Sequence, residues 1–164
     1  MALNILILCT GNSARSVMAE AILNRRGKGR FKAYSAGSKP AGAVNPVGAK
    51  LLAAKGYDIG QYSSKSWDEF SGEWAPKMDV VITVCDNAGG ETCPLWPGAP
   101  VRTHWGFPDP AAVEGTASEK LAAFKEIYGA IDAYMEKFVE LPVEQMDANA
   151  LKVAMQAIDA EAEE

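Results

Sequence analysis

The sequence has no long apolar run and no excess of positive charge. None of its 164 residues lies in a stretch of the roughly 18 consecutive apolar residues that a membrane span needs. Its N-terminus, Met1-Ala2-Leu3-Asn4, lacks the basic region of a secretory signal. A net charge of −5 disfavours nucleic acid and anionic membranes as partners. We therefore expect a cytoplasmic protein that binds neither.

Cysteine and histidine are scarce, with three residues of the first type and one of the second. An odd number of cysteines in a chain expected to stay inside the cell indicates reactive thiols or metal ligands, not structural disulfides. A zinc site built from the cysteines and His104 is disfavoured, because no Cys-x2–4-Cys pair is present. His104 lies at a strand end beside Trp105 and is interpreted as structural. We expect no bound metal or cofactor.

Short apolar runs alternate with helical patterns along the chain. This alternation predicts one α/β domain with a parallel sheet and helices on both faces. Beyond residue 141 the pattern remains compatible with a helix, so 142–164 is expected to be a helical extension of the domain formed by 1–141. Strands are expected near 4–8, 31–36, 79–84 and 101–104, and helices near 16–27, 46–56 and 118–138, the last with Ser118 as its N-cap.

The first predicted strand runs directly into a polar loop with the sequence Cys9-Thr10-Gly11-Asn12-Ser13-Ala14-Arg15-Ser16. Loop amides, a helix N-terminus and a bidentate arginine together form a cradle for a tetrahedral oxyanion. The same positive field favours a thiolate, so we expect the pKa of Cys9 to lie below that of a free thiol. Thr10 to Ser16 are the predicted anion-binding residues, and Gly11 and Asn12 suit a sharp or left-handed backbone.

The other two cysteines flank a segment of small, polar residues. Cys85 ends the third predicted strand, and Cys93 follows eight positions later. Thiol–disulfide exchange requires that one thiolate reach another sulfur, and a rearranging loop supplies this reach. The alternative is that Cys85 is a small core residue and Cys93 an ordinary loop residue.

The Cys-Thr-Gly-Asn-Ser-x-Arg-Ser segment resembles the low-molecular-weight tyrosine phosphatase fold. The segment His104-Trp105-Gly106-Phe107-Pro108-Asp109-Pro110-Ala111, together with Cys85 and Cys93, is similar to the arsenate reductases built on that fold. The resemblance extends to about Leu141. It implies a four-stranded parallel sheet with the site at the C-terminal ends of its strands.

The resemblance also implies a reaction. Cys9 would attack arsenic, Cys85 would attack Cys9 to release arsenite, and Cys93 would attack Cys85. An external reductant would then reset the enzyme: thioredoxin, or glutathione with glutaredoxin, since the loop between the later cysteines is longer than in known members. Asp109, held between two prolines, is matched to the general acid.

Two other functions remain open. The first is a low-molecular-weight phosphatase that uses Cys9, Arg15 and Asp109. The second is a non-catalytic module that binds oxyanions or senses redox state through the cysteine pair. In the reductase, phosphate or sulfate is expected to mimic arsenate, and we expect a monomer.

The resemblance extends to the supports of the loop. Asn12, Glu20 and Ser35 match residues that surround a potassium ion in some family members. Lys65 stands in place of the remaining carboxylate, with Asp68 as an alternative alignment. Because an ammonium group there would mimic the cation, we predict no potassium requirement.

Overall fold

A computed structural model describes residues 2–85, 96 and 99–162. Within them, four parallel strands form one sheet in the order β2-β1-β3-β4. The α/β class and the four-stranded parallel sheet predicted from the sequence are therefore confirmed. The strands are β1 (Leu3–Cys9), β2 (Phe31–Gly37), β3 (Val80–Thr83) and β4 (Val101–His104).

Four α-helices accompany the sheet in the described part of the chain. They are α1 (Arg15–Gly27), α2 (Pro46–Ala54), α3 (Ala117–Val139) and α4 (Ala148–Ala162). Asn45 caps α2 through its side-chain oxygen, which accepts from the amides of Val47 and Gly48. None of the helices in the described part of the chain combines the length and the apolar character needed to cross a membrane.

The two faces of the sheet are covered differently. On one face, Ile5, Ile7 and Ile82 pack into a large core together with apolar residues of all four α-helices. On the other face, Leu6, Leu8 and Val81 form a smaller cluster with Met78 and with the aromatic side chains Trp67, Phe70 and Trp96. Trp67 and Phe70 belong to a short 3-10 helix. The second face of the described fold is thus covered by this short helix and by aromatic side chains.

The two central strands, β1 and β3, end at the edge of the sheet where the candidate site lies. Residues 5–9 of β1 are all buried, as expected for a parallel strand enclosed on both faces. Leu8 pairs with Thr83, and the amide of Val84 donates to the carbonyl of Leu8 over 2.9 Å. Parallel pairing therefore brings the chain after β1 and the chain after β3 to the same edge of the sheet.

The start of α3 differs from the prediction. Ser118 was expected as the N-cap, but α3 begins at Ala117 and its N-cap is Thr116. The Thr116 hydroxyl accepts from the amide of Glu119, whose carboxylate accepts from the amide of Thr116. This reciprocal capping box satisfies two amides that the helix itself leaves unpaired, so the helix starts earlier than Ser118 would allow.

The C-terminal segment forms a helix that packs onto the rest of the chain. Leu151, Met155 and Ile158 of α4 are buried in the same core as the sheet. They lie on one face of the helix at the predicted spacing of about 3.6 residues per turn. The helix packs against β4 and α3, and β4 is an edge strand of the sheet.

Candidate active site

The loop between β1 and α1 carries a buried cysteine and a buried arginine. Cys9 is 4% exposed and Arg15 5% exposed. The N-cap residue of α1, Ala14, makes no side-chain hydrogen bond to the helix, and the first turn contains no acidic residue. The positive end of the helix therefore faces the loop without an acidic residue in its own first turn, which suits an anion.

The direction of the loop amides follows from the hydrogen bonds that the preceding carbonyls accept. The carbonyls of Thr10, Gly11 and Ser13 accept from the amides of Lys39, Ala41 and Asn45 over 2.9–3.0 Å. In a trans peptide the C=O and the following N–H point in opposite directions. The amides that follow these three carbonyls therefore point away from residues 39–45, towards the inside of the loop, where an oxyanion would be held.

Asn12 supports the loop from within the protein. It is fully buried and adopts a left-handed φ of 46°, which asparagine tolerates better than most residues. Its side-chain amide donates to the hydroxyls of Ser16 and Ser35, both over 2.9 Å. Its side-chain oxygen accepts from the amide of Lys65 over 2.8 Å. The predicted left-handed backbone is thus present, and all three contacts hold it in place.

A carboxylate lies behind this network. The Ser35 hydroxyl, which accepts from Asn12, donates to Glu20. Burial raises the pKa of Glu20, and the Ser35 hydrogen bond and the charge of Lys65 offset part of this effect. The ammonium of Lys65 itself donates to the carbonyl of Ser63 over 2.9 Å. Independence from potassium stays a prediction.

Arg15 joins the loop to the segment that carries the predicted general acid. Its NH1 group donates to the carbonyl of Phe107 over 3.0 Å in a buried bond. Its NH2 group lies 3.8 Å from Oδ2 of Asp109. Asp109 is half-buried, and its Oδ1 accepts from the amide of Ala111. The fold therefore brings Asp109 to the predicted loop across 94 positions of sequence, as the family resemblance implied.

Cys85 is a second buried thiol at the same edge of the sheet. Neither Cys9 nor Cys85 is in a disulfide, and they follow the paired positions Leu8 and Thr83. A side chain at Gly106 would lie 3.0 Å from the carbonyl of Cys85, so the Asp109 segment passes close to this cysteine. Cys93 and the whole segment 86–92 that leads to it lie outside the described residues.

His104 has a partner that fits its interpretation as structural. Its Nδ1 and the hydroxyl of Thr83 lie 2.7 Å apart across β3 and β4. Within residues 2–85, 96 and 99–162, no three histidine, cysteine or carboxylate side chains are arranged to hold a metal. A site that included Cys93 would extend outside this range.

The sequence analysis missed three supports of the site. Gly37 lies so close to the loop that a Cβ there would collide with the carbonyl of Thr10. Ser64 donates its hydroxyl to the carbonyl of Gly11 over 3.0 Å. Phe107 contributes only a main-chain carbonyl to Arg15. Main-chain contacts of this kind leave no signal in residue type, since every residue has a carbonyl.

The chain forms a strand, then a loop that begins with a cysteine and has inward-pointing amides, then a buried arginine and a helix. This order defines an α/β protein with a phosphatase-type oxyanion loop. Residues 4–152 match the family described as "Low molecular weight phosphotyrosine protein phosphatase". An arsenate reductase of Halalkalibacterium halodurans is 40% identical over 136 residues, which cover 83% of this chain and 94% of that protein. The chain therefore belongs to the low molecular weight phosphotyrosine protein phosphatase family, and its sequence groups it with the arsenate reductases of that family.

Solved structures agree on the fold. The arsenate reductase of Archaeoglobus fulgidus superposes with a TM-score of 0.67 at 28% identity, over 84% of this chain and 99% of that one. A thioredoxin-dependent arsenate reductase of Corynebacterium glutamicum superposes with a TM-score of 0.58 at 24% identity, over 88% of this chain and 64% of that one. At this lower identity, the second likeness bears on the fold alone.

Proposed function

We propose that this protein reduces arsenate to arsenite, with Cys9 as nucleophile and Cys85 and Cys93 as redox partners. The observation that carries the proposal is a pair of buried cysteines outside any disulfide, Cys9 at the end of β1 and Cys85 two residues after the neighbouring strand β3. A phosphatase needs one thiol, whereas a two-electron reduction by thiols needs two. The 40% identity to an arsenate reductase supports the same substrate.

The first step forms a bond between Cys9 and arsenic. The inward amides and Arg15 hold arsenate through its oxygens, as they would hold phosphate or sulfate. The Cys9 thiolate attacks arsenic, an arsenic–oxygen bond breaks, and the oxygen leaves as water after taking a proton from Asp109. Arsenic is still in its +5 state. The 3.8 Å approach of Asp109 to Arg15 supports this role.

The second step transfers the electrons. The Cys85 thiolate attacks the sulfur of Cys9, a disulfide forms, and the sulfur–arsenic bond breaks. The bonding pair stays on arsenic, which leaves as arsenite in its +3 state, while the two thiols lose two electrons. Cys93 then attacks Cys85, which frees Cys9 and moves the disulfide to the Cys85–Cys93 pair.

An external dithiol or thiol system completes the cycle by reducing that disulfide. Thioredoxin and glutathione with glutaredoxin both supply the two electrons, and neither is bound as a cofactor. The protein is proposed to act as a monomer. A low-molecular-weight phosphatase is the second candidate, favoured by the same loop, by Arg15 and by Asp109, which a phosphoester would use without the second thiol.

The deciding experiment follows NADPH oxidation by the purified protein with arsenate. One arm contains thioredoxin and its reductase, and the other contains glutathione, glutaredoxin and glutathione reductase. We expect arsenate-dependent oxidation in one arm, which also identifies the donor. Hydrolysis of an aryl phosphate without oxidation in either arm would assign the phosphatase function instead, and binding of arsenate without either activity would indicate a non-catalytic module.

A further inference from the structure

The segment that carries Asp109 is held on one side by the sheet. The amide of Trp105 donates to the carbonyl of Thr83 over 2.8 Å, and the amide of Phe107 donates to that of Val84 over 3.3 Å. Arg15 holds the carbonyl of Phe107 from the direction of the loop. These contacts fix the main chain up to two residues before Asp109, so the packing of Trp105 and Phe107 sets where the carboxyl group lies.

Behind this segment lies a group of four aromatic side chains, Trp105, Phe107, Tyr134 and Phe138, here called the aromatic block. The ring of Tyr134 lies 5.2 Å from that of Trp105 and 4.9 Å from that of Phe107. Phe138 lies 5.9 Å from Trp105. All three pairs have the edge-to-face geometry that aromatic rings favour. The block joins α3 to the Asp109 segment.

The polar groups of the aromatic block are bound by α4. The indole N–H of Trp105, which is fully buried, donates to the main-chain carbonyl of Met155 over 3.0 Å. The hydroxyl of Tyr134 donates to Oδ1 of Asp159 over 2.7 Å. Both acceptors lie on α4, one turn apart. A buried indole N–H without an acceptor is unfavourable, so the carbonyl of Met155 favours this position of Trp105.

These acceptors lie beyond the part of the chain that matches the family. The match to the family ends at residue 152, within α4, and both Met155 and Asp159 follow that point. The contacts that hold the aromatic block from this side therefore come from residues beyond the matched range. They act on the same segment that Arg15 contacts through the carbonyl of Phe107.

We propose that α4 positions the general acid, with Trp105 as the positioning residue that transmits its effect to Asp109. The helix binds Trp105 and Tyr134, the aromatic block sets the path of the chain at Phe107, and Asp109 follows two residues later. This inference rests on the proposed role of Asp109 as an acid. Trp105 does not touch the reacting atoms.

The test compares two aryl phosphates that differ in their need for an acid. Phenyl phosphate expels a basic phenolate that must be protonated, whereas p-nitrophenyl phosphate expels a stable anion. We expect Trp105→Phe, which keeps a ring but removes the N–H, to lower kcat/KM about tenfold on phenyl phosphate and less than about threefold on p-nitrophenyl phosphate. Tyr134→Phe, which removes the bond to Asp159, should give a smaller effect in the same direction.

Glu161→Gln is the matched control. It breaks the exposed ion pair between Glu161 of α4 and Lys137 of α3, whose charged atoms lie 3.2 Å apart. It leaves the aromatic block intact. We expect Glu161→Gln to leave kcat/KM unchanged on both aryl phosphates. Equal losses on both substrates, or no loss, in Trp105→Phe and Tyr134→Phe would overturn the positioning role of α4.

Asp109→Asn separates this inference from the proposed function. If Asp109→Asn shows no preference for the good leaving group, Asp109 is not the acid, and both statements fail. If Asp109→Asn shows the preference and Trp105→Phe does not, only the role of α4 fails. Should aryl phosphate turnover be too slow to measure, amide hydrogen exchange decides: the amides of Phe107 and Ala111 must lose protection in Tyr134→Phe and keep it in Glu161→Gln, and the opposite result overturns the inference.

Discussion

The guanidinium of Arg15 donates to the main-chain carbonyl of Phe107 over 3.0 Å, in a buried bond between residues 92 positions apart. This bond connects the loop that begins at Cys9 with the segment that ends in Asp109. It orients the arginine before any anion arrives, so that its remaining donors are directed by the fold. Preorganised donors of this kind stabilise developing charge without a reorganisation cost.

Arg15→Lys tests this arrangement directly. Lysine keeps the positive charge but has no planar fork, so it cannot hold the Phe107 carbonyl and two anion oxygens together. We expect kcat/KM for arsenate reduction and for aryl phosphate hydrolysis to fall by about 100-fold. Arg25→Lys on the same helix, where Arg25 contacts Tyr57 and Lys55, should leave both activities unchanged. Activity of Arg15→Lys close to that of the wild type would remove Arg15 from the site.

Cysteine substitutions separate reduction from hydrolysis. Cys9→Ser should lower both activities by more than about 1000-fold, because both begin at this sulfur. Cys85→Ser and Cys93→Ser should each abolish multiple-turnover arsenate reduction and change aryl phosphate hydrolysis by less than about threefold. The NADPH-coupled assay and a phenol-release assay measure the two activities. Continued turnover of arsenate by Cys85→Ser would refute the relay.

Alanine substitutions at Gly37 and Gly129 should have opposite effects on stability. At Gly37 a Cβ would collide with the carbonyl of Thr10 and lie 3.0 Å from that of Cys9, so Gly37→Ala should displace the loop. We expect a loss of about 1–3 kcal/mol in the free energy of unfolding and a clear loss of both activities. Chemical denaturation and the two assays provide the measurements.

Gly129 supplies the control, because a Cβ built at this position of α3 has no atom within 4 Å apart from its chain neighbours and the adjacent backbone of the helix. Gly129→Ala should raise the free energy of unfolding by about 0.5–1 kcal/mol through helix propensity, with unchanged activity. Tolerance of Gly37→Ala at full activity would contradict the close approach of β2 to the loop.

The buried carboxyl group of Glu20 predicts a pH dependence of stability. Its pKa is raised above the ordinary value of 4.5, mainly by burial, so the native state binds this proton more tightly than the unfolded chain does. The contribution of Glu20 to stability is therefore present below that ordinary value and is lost as the pH rises through the raised native pKa. Glu20→Gln removes this dependence and keeps an oxygen that can accept from Ser35.

Urea unfolding of the wild type and of Glu20→Gln over a pH series tests this prediction. The difference in unfolding free energy between them should shift in favour of Glu20→Gln as the pH rises above 4.5. Glu126→Gln, an exposed carboxylate of α3, serves as the control for removing one acidic group. A pH-independent difference between the wild type and Glu20→Gln would show that the native state does not shift this titration.

Much of the fold followed from local patterns. The buried run of β1 and the turn after Cys9 predicted a strand entering a loop, and the described structure has both. The start of α3 was predicted two positions late, although Thr116 and Glu119 match the capping-box spacing. The spacing of Thr116 and Glu119 in the sequence thus indicates the correct N-cap.

What the sequence by itself determined is the order of strand, loop and helix around Cys9 to Arg15, because these residues are neighbours along the chain. Only the tertiary structure decided what surrounds it. Parallel pairing brings Cys85 to the edge where Cys9 lies, and Arg15 reaches Phe107 and Asp109 through contacts between distant segments. The docking of α4 on Trp105 likewise depends on a main-chain carbonyl. Side-chain type encodes local geometry, whereas such long-range main-chain contacts arise only when the whole sheet and its helices have packed.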